Sequence, residues 1–187
     1  MLDTLKAFSG ELHQLGRSKP NATARARVME ALHSKHEGLQ SQAATLLGQW
    51  GGHDSVAALQ ELFVRVQSRP QSQGLRNAVI RALAACITGQ EASWALDQCF
   101  STQSLRQSTS ALHLLWALPA QAVLPRVTTE CANPNPVIRR LAVQSLTYVA
   151  LDLKKSLLLR LAQDTDAEVR RWSRDQLAAS PNVHPAT

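Results

Sequence analysis

The sequence predicts an all-α protein built as a stack of helix pairs. Three observations carry that reading. Strand-like alternation is almost absent. Apolar residues recur at helical spacing in segments of 12 to 16 residues, separated by glycine, proline and short polar links. One pattern also repeats along the chain, which is the mark of a repeat array. It is clearest in NPNPVIRRLAVQSLTYVA, from Asn133 to Ala150, and returns as DTDAEVRRWSRDQLAA, from Asp164 to Ala179. Each reads as a polar turn, an aliphatic residue, an arginine pair, and then apolar residues on one helical face.

Eleven helices follow from the punctuation. Leu2 to Leu15 places Leu5, Phe8, Leu12 and Leu15 on one stripe and ends at GRSKPN. Ala22 to His33 carries Val28 and Leu32, and Glu37 to Trp50 is stopped by Gly51-Gly52. Asp54 is placed to cap a fourth helix, which runs to Gln67 with Val56, Leu59, Leu62, Phe63 and Val66 inward. After the loop SRPQSQ, Gly74 to Ile87 forms the fifth and Glu91 to Phe100 the sixth. STQS leads into Leu105 to Leu118, and Pro119 either breaks that helix or opens Ala120 to Ala132. Asn135 caps a ninth helix with Pro136 in its first turn, reaching Ala150. Asp152 to Gln163 is the tenth, and Asp166 caps the eleventh, ending near Ala179. The tail SPNVHPAT is expected to fray.

Every second helix opens on an aliphatic anchor: Leu39, Leu75, Leu105, Ile138 and Val169, spaced 36, 30, 33 and 31 residues apart. Four residues on come Ala43, Val79, Thr109, Ala142 and Ser173, and eight on come Leu47, Leu83, His113, Leu146 and Leu177. Eleven on, in the first four, come Trp50, Cys86, Trp116 and Val149. Directly after the anchor stands Gln40 and then Arg76, Arg106, Arg139 and Arg170. His113 is the exception among the inward columns.

These residues resemble the HEAT-repeat family of armadillo-like α-solenoids, whose helix pairs carry a turn of the form Asp-x-Asp/Asn-x-x-Val-Arg. DTDAEVR from Asp164 matches closely, and NPNPVIR from Asn133 matches with asparagine for aspartate. The first three repeats keep the anchor and lose the acid. The resemblance covers roughly residues 22–179 and implies a right-handed α-α superhelix of about five pairs, its second helices on the concave side. Leu2 to Leu15 then serves as an N-terminal capping helix over residues 1–20, residues 21–180 as the array, and residues 181–187 as a tail. Such a motif specifies architecture and is nearly silent on activity.

Composition narrows the function. At 44% apolar residues, the 187-residue chain has material for a core. The net charge of +6 is unevenly spread. Residues 1–35 carry six basic against three acidic groups, residues 36–125 five of each, and residues 126–175 nine against six. A groove for a duplex would be basic along its whole length, and this chain is neutral in the middle. Cys86, Cys99 and Cys131 form no CxxC pair and read as buried thiols in a reducing, cytoplasmic setting. No secretory signal or bilayer-length apolar run is evident.

No catalytic, cofactor or metal constellation emerges. His33, His36 and Glu37 lack further ligands at zinc spacing and read as a polar helix end. His113 is expected to be a satisfied core histidine. There is no phosphate loop, since Gly51-Gly52 is not followed by GK[ST]. Trp50, Trp116 and Trp94 read as core, and Trp172, flanked by Arg171 and Ser173, is the one for which exposure stays open beside burial. The arginine column is expected to bond acids and carbonyls of the turns between helices, a task suited to the guanidinium fork.

On a 100° wheel, positions two, five, six and nine after each anchor point away from the core. They include the candidate partner-binding residues Asn77, Ile80, Arg81, Gln107, Leu114, Arg140, Val143, Gln144, Arg171 and Arg174, with Ser41, Ala44, Thr45 and Gly48 in the first repeat. Small and mildly apolar, this face could seat another chain, with Ile80, Leu114 and Val143 in contact. Small residues also suit a tightly curved stack, and both readings stand at this point. The expected function is therefore a non-catalytic scaffold or adaptor that binds a protein or peptide and needs no cofactor. One alternative is nucleic-acid binding through Arg81, Arg139, Arg140, Arg171 and Arg174, as in the HEAT-like alkylpurine DNA glycosylases, none of whose catalytic residues can be matched here. Another is an accessory lyase, since some bilin-attachment enzymes also carry HEAT-like repeats.

Overall fold

The computed structural model describes residues 2–17, 20–67, 69, 71–101 and 105–179, with the side chains of residues 2–5, 105 and 106 excepted. The tail at 181–187 lies outside the described residues. Among those described there are eleven α-helices, one 3-10 turn and no β-strand. The helices are α1 (Leu2–Leu15), α2 (Ala22–Leu32), α3 (Glu37–Trp50), α4 (His53–Gln67), α5 (Gln73–Cys86), α6 (Ala92–Phe100), α7 (Leu105–Leu115), α8 (Ala120–Glu130), α9 (Pro136–Ser145), α10 (Leu151–Leu161) and α11 (Ala167–Ala178). The protein is an all-α helical-repeat fold. It divides into two compact units, Met1–Ile87 and Thr88–Thr187.

In the first unit α2 pairs with α3 and α4 with α5, while α3 lies directly against α5 and α1 against α3. Its core holds Val28, Leu32, Ala43, Leu47, Leu59, Leu62, Phe63, Val66, Val79 and Leu83, all essentially inaccessible. Each large aliphatic or aromatic side chain removed from water contributes about 1.5–3 kcal/mol. Helix α1 is fastened from its polar side as well. Arg27 of α2 donates to both carboxylate oxygens of Glu11 at 3.0 and 3.1 Å and lies 4.1 Å from the centroid of the Phe8 ring. Arg25, a residue the sequence did not single out, donates to the carbonyl of Gly51 at 3.1 Å and to Ser55 Oγ at 3.0 Å. It thereby satisfies the C-terminal end of α3, whose last carbonyls have no partner within the helix.

That helix stops because Gly51 adopts φ 62° and ψ −162°, and Gly52 follows at φ 93°. Only glycine occupies the first of these conformations without strain. Gly51→Ala is expected to lower unfolding stability by about 1–2 kcal/mol, measured by urea unfolding. An unchanged midpoint would show that the turn can relax.

In the second unit α6 pairs with α7, α8 with α9 and α10 with α11, and α9 is flanked by α7 and α11. Asn135 and Asp166 cap α9 and α11 as the sequence predicts, accepting from Val137 N at 2.9 Å and Val169 N at 3.0 Å. Pro136 occupies the first turn of α9. Asp54, by contrast, lies inside the first turn of α4, and Pro119 precedes α8 as its cap residue.

Helix α9 ends at Ser145, short of the expected Ala150. Carbonyls at and just beyond its end accept side-chain donors from elsewhere in the unit. Trp116 Nε1 donates to Gln144 O at 3.2 Å, and Gln176 Nε2 to Val143 O at 2.7 Å. Lys154 Nζ donates to Leu146 O at 2.8 Å and Thr147 O at 3.1 Å. Those donors replace the intrahelical bonds that further turns would have supplied. Burial of Lys154 pushes its ammonium pKa below the ordinary lysine value.

Candidate partner-binding surfaces

The anchor column is buried wherever its side chains are described: Leu39, Leu75, Ile138 and Val169 are each at most 5% exposed. Ala43, Val79, Ala142 and Ser173 are inaccessible four residues on. Repeat three departs by one residue. Thr109 and His113 are exposed, while Ser108 and Leu112 are buried. The inward columns in α7 thus pass through Ser108 and Leu112. This corrects the expectation of a core histidine: His113 stands at the surface, edge-on to Trp116 at 4.7 Å.

The arginine column has the expected structural role, in a more specific form. In the four repeats where its side chain is described, the residue after the anchor reaches back to the carbonyls that lead into its own helix; the side chain of Arg106 lies outside the described residues. Gln40 Nε2 donates to Leu32 O at 3.2 Å and Arg76 Nη1 to Arg69 O at 2.5 Å. Arg139 Nη1 donates to Asn133 O and Pro134 O at 2.9 and 3.1 Å. Arg170 Nη1 donates to Asp164 O and Thr165 O at 2.6 and 2.9 Å. Arg139 also crosses to the following repeat. Its Nε and Nη2 meet the two oxygens of Asp164 at 2.8 and 2.7 Å. Beside it Arg140 makes the same fork with Asp166, at 3.0 and 2.7 Å. These guanidinium partners hold both carboxyls below the ordinary aspartate range.

The candidate binding residues separate into two sets. Leu114 and Val143 are inaccessible, so neither is offered to a partner. Gly48 and Ala44 are buried too. The wheel erred because it allowed for one packing neighbour. Second helices also lie side by side, α3 on α5 and α9 between α7 and α11, and this widens the buried arc. A Cβ on Gly48 would fall 2.6 Å from the Cα of Ala82. In α7 the one-residue shift carries Leu114 inward.

The remaining candidates are accessible to different degrees. On α5, Asn77 and Arg81 are exposed on either side of half-buried Ile80, and Asn77 Oδ1 accepts from Gln73 Nε2 at 2.9 Å. In the second unit Gln107 is half-buried and donates to Gln98 Oε1. Arg140 and Gln144 are half-buried, and Arg171 and Arg174 exposed. Arg171 pairs with Glu168 at 2.7 Å, and Arg174 Nη2 donates to Ala162 O at 3.1 Å. The positions that stay at the surface are chiefly the second and sixth after the anchor. Of the arginines considered for phosphate contacts, Arg139, Arg140 and Arg171 are matched by carboxylates. A recess of about 320 Å³ lies between α1 and α3, lined by Leu12, His13, Gly16, Arg17, Gln42, Thr45, Leu46 and Gln49. The sequence pattern gave no sign of it, because it depends on how α1 docks.

Among the described residues no three His, Cys, Asp or Glu side chains are grouped to hold a metal, and no helix is long and apolar enough to cross a membrane. Cys99 and Cys131 are buried and Cys86 half-buried, with its thiol donating to Ala82 O at 3.1 Å. Burial pushes the Cys99 thiol up to about 12 and that of Cys131 up to about 11, with Glu130 adding to both. A thiol reagent at about pH 8 is expected to label Cys86 well before the other two, and all three once the protein is unfolded. Peptide mapping after timed labelling reads the order. Early modification of Cys99 would contradict its burial.

No family model matches the chain, and no curated protein does. Solved structures do. The complex of CpcE and CpcF of the phycocyanin lyase of Nostoc sp. PCC7120 contains a chain that aligns with 84% of this one and 99% of its own length, at 20% identity and a TM-score of 0.51. Two engineered proteins align with 90% of this chain. One is matched over 86% of its length at 16% identity and a TM-score of 0.40, the other over 52% at 15% identity and 0.37. Together with the helix pairs and buried anchors, the similarity to the Nostoc lyase chain establishes the fold and nothing finer: this is an all-helical protein of the helical-repeat kind.

Proposed function

We propose that the chain is a non-catalytic, cytoplasmic scaffold that holds a protein or peptide on the exposed face of its second helices. The observation that carries this is α5, where Ile80 stays partly accessible between exposed Asn77 and Arg81. A half-buried aliphatic residue rimmed by polar groups suits the centre of a small protein contact. The helical-repeat fold supports the reading, since such folds present extended surfaces to partners. The similar Nostoc chain belongs to a complex of two proteins. A photo-crosslinking residue at Asn77 is expected to capture a partner in native extract, and Ile80→Glu with Arg81→Glu to abolish that capture. The same crosslinked species from both proteins would count against the face.

A second reading, an accessory subunit of a pigment lyase, is favoured by that similarity to a phycocyanin lyase chain. Co-expression with a phycobilin and its apoprotein would test it. Pigmented adduct that depends on this chain is the expected sign, and colour independent of the chain would remove the reading.

A further inference from the structure

The repeat geometry supplies its own template for one edge where an arginine fork meets no carboxylate among the described residues. Helices α9 and α11 present their arginine pairs in the same way. Arg139 and Arg170 each turn Nη1 onto the two carbonyls of their own turn, at 2.9 and 3.1 Å and at 2.6 and 2.9 Å. With that end fixed, the remaining Nε–Nη2 edge of Arg139 is aimed at Asp164. Arg140 beside it takes Asp166. The corresponding edge of Arg170 meets no carboxylate among the described residues. Arg171 turns instead to Glu168 on its own helix, an exposed pair of the kind worth little and readily exchanged.

Packing agrees with charge at this edge. Leu141, two residues after Arg139, is 3% exposed in a helix flanked on both sides, whereas Trp172, two residues after Arg170, is 37% exposed. Val143 is inaccessible and its counterpart Arg174 is exposed. Helix α11 therefore carries a fork for two carboxylates next to an exposed aromatic ring.

We infer that this edge of the second unit docks a separate helical protein through a turn of the form Asp-x-Asp at a helix N-terminus. The two carboxylates would take the fork of Arg170 and Arg171, and the helix behind them would cover Trp172. Asp164 and Asp166 show the required chemistry, since they are spaced by two residues in such a turn and fill the equivalent fork. A second copy of this chain cannot supply that turn, because its own Asp164 and Asp166 are occupied by Arg139 and Arg140. The inference rests on the protein-binding reading but not on the α5 face.

The test uses the full chain and a fluorescent synthetic peptide of the hairpin at residues 151–179, first verified as helical by circular dichroism, in which Asp164 and Asp166 are released from Arg139 and Arg140. Fluorescence anisotropy is expected to show saturable binding. Changing both turn aspartates of the hairpin to asparagine should weaken it about tenfold or more, as should R170K with R171Q in the chain. Lysine at 170 keeps charge and a donor for the local carbonyls, so the variant is expected to fold, which circular dichroism checks. R81E leaves the edge untouched and should bind the hairpin as wild type does, although it impairs the α5 face. Absence of saturable binding at millimolar hairpin, or binding indifferent to both sets of substitutions, overturns the inference. Loss on R81E alone would assign the contact to the α5 face instead.

Discussion

Arg139→Ala is expected to lower the unfolding stability of the second unit by about 3 kcal/mol near neutral pH, the low end of the range for breaking a buried ion pair. The side chains of Arg139 and Asp164 are only 12% and 9% exposed. The substitution removes both bonds to Asp164 and strands its charge, and it also frees the carbonyls of Asn133 and Pro134. Arg139→Lys should recover part of the loss, because an ammonium replaces the charge but not the fork. Urea unfolding followed by circular dichroism reads the difference. A loss below about 0.5 kcal/mol, the size of an ordinary surface substitution, would show the pair to be incidental.

The same pair sets a dependence on acid. Asp164 is held below the 3.8 of an unpaired aspartate chiefly by its bonds to Arg139, and Asp166 is held below it by Arg140. A carboxylate whose pKa is lower in the folded protein contributes stability that is present above its unfolded pKa. That stability is lost as pH falls through the folded value. Wild type should therefore weaken on going from neutrality to about pH 3 by more than Arg139→Ala does, so that the two curves converge. Parallel curves would mean that other carboxylates govern the acid limb.

Gly48→Val is expected to cost about 3 kcal/mol, through overpacking between α3 and α5. A Cβ at Gly48 would stand 2.6 Å from the Cα of Ala82, 2.9 Å from its Cβ and 3.0 Å from its carbonyl oxygen. Two of these three are backbone atoms, so relief requires the helices to part. Gly10 supplies the contrast. It lies within α1, and a Cβ there would meet nothing within 4 Å. Gly10→Ala should stabilise by up to about 1 kcal/mol through helix propensity alone. Thermal unfolding of the two variants is expected to move in opposite directions, and a stabilised Gly48→Val would disprove the close approach.

Local chemistry makes most of the helical order legible in the sequence. Asn135, Asp166, Pro136 and the Gly51-Gly52 stop act within a turn of where they stand, and their effects are written in adjacent residues. The anchors Leu39, Leu75, Ile138 and Val169 are legible too, because burying one face of a helix leaves a period in the sequence. The arginine column announces itself by recurrence, and its role follows from guanidinium geometry.

The surface is much less legible. A helical wheel knows one core direction, whereas α3 and α9 are hemmed in by neighbouring second helices as well as by their own partners. That is why Val143 and Gly48 are buried. The shift of α7 by one residue hides in the same way, since Thr109 and Ser108, or His113 and Leu112, cannot be ranked until packing chooses between them. Sequence alone determined the helices, the buried anchors and the arginine pairs, for these depend on residues close along the chain. Tertiary structure alone decided which positions of the second helices face water and that Arg139 and Arg140 find acids 25 and 26 residues further along the chain, because both depend on how neighbouring helices pack.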